Sequence, residues 1–295
     1  MIPILTNHFP FAPHVEHDQP TEWERRQGDA QYKELLNSYK NHILPPTHRS
    51  SKTVNRVGSR ITQAANKFIK EYKPNESIGG PYTYTVIRSD QANAFVLPNN
   101  HIFVFTGLFQ FVKNEDDLAA VLGHETAHNL ARHAGERVTG SILMSILARF
   151  TLLIDPNGLL YTLFLPAATL LHDLPHSRDH EIEADYIGLQ LAADACYDPQ
   201  AAKRVFGAMK KAGNDSNTGS SPEFISTHPS YDTRLTNFDA WLPGAMEKYN
   251  SDGGYKCQRI RREMKAARQQ AAILAQNQEG GETRAYQRQD RRGSG

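Results

Sequence analysis

The sequence predicts an α+β chain, mainly helical, with a small β-sheet beside one central helix. Three observations carry that expectation. Leu118, Val121 and Leu122 form an apolar stripe behind Asn114, a good N-cap type, so a helix runs through His124-Glu125-Thr126-Ala127-His128. A second helix opens after Ser177 and continues as an apolar-periodic run through Leu189 and Leu191. Between the N-terminal helices and the first of these lie short β-branched and aromatic runs, the pattern of strands.

Glu34–Lys40 and Val54–Tyr72 read as helices ahead of the sheet, and residues 1–30 as an irregular arm. Tyr82–Ile87 alternates β-branched and aromatic residues, and Ile102–Phe105 is an apolar run before Thr106-Gly107. Asn93–Leu97 reads as a third strand, at an edge because Pro98 ends it. Such an edge can take an extended peptide by strand addition, or simply cover the core. Asn114 caps the central helix, and Glu115, Asp116 and Asp117 suit the positive end of its dipole. Gly123, next to His124, lets another backbone come close, against a helix propensity penalty of about 1 kcal/mol.

His124-Glu125-Thr126-Ala127-His128 reads HExxH. Positions i and i+4 share a helix face, so both imidazoles reach one ion, and Glu125 lies where it can activate a water. In a chain of this composition an accidental HExxH is expected with a probability of about 3%, so further ligands are needed before the reading carries weight. A catalytic zinc takes three protein ligands and keeps one position open. The segment Ser177–Gly188 supplies candidates. Glu181 and Asp185 are i, i+4: Glu181 suits the metal, and Asp185 suits the other ring N–H of a ligand histidine. Glu183 competes with Glu181; it lies roughly 200° around the helix from it, so both cannot face one ion, and spacing alone does not choose. A solvated acidic helix face is the plainer alternative for all three carboxylates.

HExxH followed by Glu181-x-x-Ala184-Asp185 resembles the zinc endopeptidase family that includes the CAAX prenyl proteases and the HtpX-type quality-control proteases. The resemblance extends to Asn93-Ala94-Phe95-Val96-Leu97-Pro98, to His101–Leu108, and to His228-Pro229 with Arg234, covering about residues 30–250. Glu181–Met209 and Ser226–Ser230 look most like the Oma-type branch, mitochondrial inner-membrane peptidases that cleave membrane proteins under stress. The resemblance implies a gluzincin-type metallopeptidase domain over 31–250, one Zn²⁺ per chain held by His124, His128 and Glu181, and Glu125 as the general base. It brings the His228 segment near the metal, where His228 would hold the substrate carbonyl or stabilise the oxyanion; a surface loop histidine is the alternative. Asn93, Ala94 and Phe95 would line the substrate strand. Arg234 would bind peptide backbone, pair with a site carboxylate, or serve as a structural ion pair.

Other histidines fit the site less well. His172, His176 and His180 run i, i+4, i+8, but Pro175 interrupts any helix carrying all three. His133, five residues past His128, falls off the shared face and reads as structural.

The chain of 295 residues carries a formal net charge of +1, which gives no signal for nucleic acid. The charge is uneven, however: residues 256–295 hold ten Lys/Arg against four Asp/Glu. This 251–295 tail reads as a basic helix followed by a disordered polar end, suited to an anionic membrane surface or simply solvated. Ser141–Ile154 and Leu159–Leu171 are apolar runs shorter than the roughly 20 residues that span a bilayer. They read as a hairpin over 141–171, a lid or core element, with membrane contact as the alternative. No secretory signal or Arg-rich presequence is visible, so the mitochondrial inner membrane is implied by the resemblance alone, against a soluble or peripheral location. Cys196 and Cys257 sit in no ligand-like spacing, and their pairing is left open, as is homo-oligomer formation. Polypeptides, membrane proteins among them, are the expected substrates. The rival functions are a CAAX-type processing protease and a zinc-stabilised adaptor or holdase that binds without cutting. Intact Glu125 argues against the adaptor, since a structural zinc needs no base and is usually closed by four protein ligands.

Overall fold

A computed structural model describes residues 22–72, 81–135, 178–214, 224, 228, 231–266 and 269. The chain divides into two compact units, Met1–Met246 and Glu247–Gly295. The 141–171 hairpin, residues 1–21 and the polar end of the tail lie outside the described residues.

In the first unit, α1 (Glu22–Ser38) and α2 (Arg49–Tyr72) precede β1 (Thr83–Ile87), β2 (Ala94–Leu97) and β3 (His101–Phe105). Then come α3 (Glu115–Leu130), α4 (Arg178–Asp194), α5 (Gln200–Asn214) and α6 (Tyr231–Tyr249). This is the expected α+β class, helical with one small sheet. The second unit contains the end of α6, a 3-10 turn at Ser251–Gly254 and a helix over 255–266.

The sheet order is β1-β3-β2, with β1 parallel and β2 antiparallel to β3. All of β3 is buried, as its apolar run Ile102–Phe105 requires of a central strand, and buried His101 bonds Thr83 and Thr85 of β1. The outer side of β1 is covered: Leu44 N–H donates to Val86 O at 2.9 Å and Arg88 N–H to His42 O at 2.7 Å. β2, the strand ended by Pro98, is the other edge. One face of the sheet packs Ile87, Leu97, Phe103 and Phe105 against Tyr32, Leu35, Leu36 and Tyr39 of the α1 region. α1 starts at Glu22, well inside the stretch read as irregular. Its opening is charged and aperiodic, and tertiary contacts hold it: buried Glu24 takes two bonds from Arg132, at 3.0 and 2.8 Å.

α3 is the hub. Asn114 Oδ1 accepts from Asp117 N–H at 3.0 Å, and the Asp117 carboxylate reaches back to Lys113 N–H at 2.9 Å, so both side chains satisfy otherwise orphaned donors. Every residue from Asp117 to Asn129 is buried. α2 lays Val54, Val57, Ile61, Ala65 and Phe68 inward at helical spacing and packs on α3 and β1.

α3 and α4 meet backbone to backbone at Gly123 and Gly188. A Cβ on Gly188 would lie 2.8 Å from His124 N and 2.9 Å from Gly123 C. Backbone atoms cannot swing aside, so Gly188→Ala has to push the two helices apart. The expected loss is about 1–3 kcal/mol of stability, read as a lower denaturant midpoint. An unchanged midpoint would mean that the close crossing does not exist in solution.

Candidate functional site

The α3–α4 crossing brings two short motifs into one buried cluster. His124 and His128 lie one turn apart on α3, and Glu181 lies in the first turn of α4. His228 arrives from a bend tied to Phe224, whose carbonyl accepts His228 N–H at 3.0 Å. The Phe224 ring stacks on the His228 ring, centroids 4.2 Å apart.

One ligand atom from each of His124, His128, Glu181 and His228 lies within 4.8 Å of every other. His124 Nε2 is 3.0 Å from His128 Nε2 and 3.2 Å from His228 Nδ1. Glu181 oxygens are 3.5 Å from His124 Nε2, 3.3 Å from His128 Nε2 and 3.0 Å from His228 Nδ1. A tetrahedral ion with ligands at 2.0–2.1 Å has ligand–ligand edges of about 3.3 Å, so the spacing suits such an ion.

The hydrogen-bonding roles agree. His124 Nδ1 lies 2.9 Å from Asp185 Oδ1, which draws the ring proton to Nδ1 and leaves Nε2 as a lone pair. That lone pair, His128 Nε2 and the Glu181 carboxylate then converge, an arrangement that suits a cation. Glu181 and Asp185 resist the protonation that burial favours. For Glu181, His228 and Arg234 outweigh burial and hold the carboxyl well below the usual range. For Asp185, the Arg234 guanidinium outweighs burial in the same direction. Burial pulls the His228 imidazole down, but Glu181 and Glu125 beside it raise it overall.

Glu125 is buried, and its Oε1 has no hydrogen-bond partner among the described residues. Burial pushes its carboxyl up to about 7, against the charge of His228 and a hydrogen bond from Val96 N–H. Its nearest cationic neighbour in the cluster is His228 Nε2, 3.5 Å away.

That bond from Val96 fixes how β2 faces the site. Phe105 N–H donates to Asn93 O at 3.0 Å, so the odd-numbered peptides of β2 face β3. The peptides of Ala94 and Val96 therefore point away from β3, and that of Val96 meets Glu125. Asn93 is buried, and its Oδ1 has no hydrogen-bond partner among the described residues. Phe95 instead stacks on Phe103 at 5.3 Å within the sheet core.

Two residues whose roles the sequence left open have definite neighbours in the structure. Arg234 does not reach a surface where peptide could meet it. It is fully buried, donating to Asp185 through Nε at 2.6 Å and Nη2 at 2.8 Å, with Nη1 3.1 Å from Glu181 and 3.2 Å from His228 O. Pairing with site carboxylates is one of the roles open to it. His228, read as a helper for the substrate carbonyl, puts Nδ1 among the ligand atoms while Nε2 faces Glu125. Of the i, i+4, i+8 histidines, His172 and His176 lie outside the described residues, and His180 stacks on His133 at 4.2 Å.

Sequence comparison bears on the same segments. The family profile described as Peptidase family M48 matches residues 52–242. Mitochondrial metalloendopeptidase OMA1 of Schizosaccharomyces pombe is 36% identical over 239 residues, 81% of this chain and 66% of the relative. The protein of the same name from Saccharomyces cerevisiae is 33% identical over 228 residues, 75% of this chain and 64% of the relative. The beta-barrel assembly-enhancing protease of Yersinia pestis is 27% identical over 198 residues, 62% of this chain and 37% of the relative. The chain thus spans less than two thirds of the length of each of these proteins.

Proposed function

Because the chain belongs to peptidase family M48, we propose that it is a zinc-dependent metalloendopeptidase, with one Zn²⁺ per chain held by His124, His128 and Glu181. The observation that carries this reading is the buried convergence of imidazole nitrogens and the Glu181 carboxylate beside Glu125, whose Oε1 has no hydrogen-bond partner among the described residues. Zinc bound there supplies Lewis-acid polarisation of the scissile carbonyl and a water of lowered pKa.

The protein's own groups do the rest. Glu125 takes the proton of the attacking water and delivers it to the leaving amine. A carboxyl poised near neutrality suits both halves of that task, and its raised value has a physical source in burial. Substrate lies as an added strand along β2, hydrogen-bonded to the Ala94 peptide, with Asn93 Oδ1 as a further acceptor. His228 Nε2, close to Glu125, steadies the carbonyl oxygen as it becomes an oxyanion. Asp185 holds His124 in the ligand tautomer, and Arg234 holds Asp185. A holdase would need no water-activating Glu125.

The relatives' names support a mitochondrial location, and quality-control processing of membrane proteins is the role we propose for the chain there. Among the described residues no helix is long and apolar enough to cross a membrane. Contact with the bilayer, if it involves this chain, belongs to the 141–171 run and the basic tail.

Metal removal tests the reading. A chelator should reduce cleavage of an unstructured polypeptide to background, and about one equivalent of zinc should restore it. Full activity in protein stripped of metal would overturn the proposal.

A further inference from the structure

His133 was set aside on spacing, yet it is buried and its Nδ1 lies 2.7 Å from His128 Nδ1. Its other nitrogen, Nε2, lies 3.2 Å from Glu183 Oε2. Building on the metallopeptidase reading, we propose that His133 and Glu183 form a relay that positions His128 as a metal ligand.

The proton assignment follows from the geometry. If His128 offers Nε2 to the ion, its proton sits on Nδ1, and Nδ1–H must donate to His133 Nδ1. His133 is then an acceptor at Nδ1 and carries its proton on Nε2, where Glu183 accepts it. Each nitrogen in the chain thus has one role. The two ligand histidines are backed by different means: His124 directly by Asp185, and His128 by a carboxylate one imidazole further away. Glu183 is the carboxylate that competed with Glu181 in the sequence. Both are used, on opposite sides of α4.

The backbone is shaped for this. α3 ends at Leu130, and Arg132 takes the left-handed conformation with φ 58°, which turns the chain back so that His133 faces His128. Glu24 holds the Arg132 guanidinium with two bonds, so α1 pins the turn. The His180 ring, stacked on His133 with planes 11° apart, fixes the orientation of the ring plane. The Glu183 side chain is 21% exposed, so the relay runs from a buried ligand to the protein surface.

The test uses the full chain and inorganic zinc, with affinity read by chelator competition. His133→Leu keeps the bulk and removes the acceptor, and zinc affinity should fall about 10–100-fold. His133→Asn puts an amide oxygen near the Nδ1 position and should recover most of that loss. Glu183→Gln, which still accepts from Nε2–H, should lose less than Glu183→Leu. Histidine ¹⁵N spectra of the zinc-loaded wild type need no variant: His128 should be the Nδ1–H tautomer and His133 the Nε2–H tautomer. The opposite tautomer at His133, or equal zinc affinity in His133→Leu and wild type, would overturn the relay. Wild type that binds no zinc would instead overturn the metallopeptidase reading itself, so the two failures are distinguishable.

Discussion

Glu125→Gln should abolish cleavage and leave the metal in place. General acid–base groups contribute about 10²–10⁴-fold, and here one carboxylate serves both proton transfers, so the loss in kcat/KM should fall at the upper end. Zinc content should stay near that of wild type, because Glu125 is not among the converging ligand atoms. In wild type the same group sets the acidic limb of the pH profile. The base must be ionised, so kcat/KM falls as pH drops through its pKa, at or below the value of about 7 that burial gives without a cation. That limb should vanish from whatever activity the variant retains. Stability should respond in the opposite sense. With a folded value of about 7 against the ordinary glutamate value of 4.5, the native state binds more protons than the unfolded chain across that window. Stability of metal-free wild type therefore falls as pH rises from 4.5 towards 7, and metal-free Glu125→Gln escapes the loss and melts higher above it. Substantial cleavage by Glu125→Gln would exclude the mechanism.

The second large effect is expected at Arg234. This fully buried guanidinium compensates two buried carboxylates, Asp185 and Glu181, and stacks on Phe206 with 4.7 Å to the ring centroid. Arg234→Met keeps much of the bulk and strands both charges, a loss of about 3–5 kcal/mol for breaking a buried pair. Arg234→Lys restores the charge without the two-pronged geometry and should fall between. The pH dependence distinguishes this cause from simple packing. In wild type both carboxyls are held low, so their contribution is present above the unfolded carboxylate range and lost as pH falls below it. Without Arg234, burial dominates and raises the two carboxyls, which then take up protons on acidification. The deficit of Arg234→Met should therefore shrink between neutral pH and about pH 5. Chemical denaturation at two pH values measures it, and a pH-independent deficit would point to lost packing instead.

Residues whose job is set by local spacing were legible in the sequence. The i, i+4 pairs His124/His128 and Glu181/Asp185 announce their shared faces, Asn114 announces the helix start, and Gly123 the close approach that Gly188 completes. The edge position of β2 followed from Pro98. What was not legible depends on chain reversal or tertiary burial. His133 looks misplaced only if α3 continues past it, and the turn back is made at Arg132, an arginine with none of the usual signals for positive φ. Spacing leaves Arg234 open between a peptide contact, a partner for a site carboxylate and a structural ion pair until Asp185 and Glu181 are seen on either side of it. The early start of α1 was hidden because Glu24 and Gly28 are fixed by partners far along the chain, Arg132 and Asn99, rather than by an apolar stripe of their own.

The ligand set is the centre of this account, and zinc K-edge absorption on the zinc-loaded full chain tests it most directly. The expected spectrum is a nitrogen and oxygen shell at about 2.0–2.1 Å, outer scattering from at least two imidazoles, and no sulfur. A sulfur shell at about 2.3 Å, or a first shell without imidazole, would contradict it.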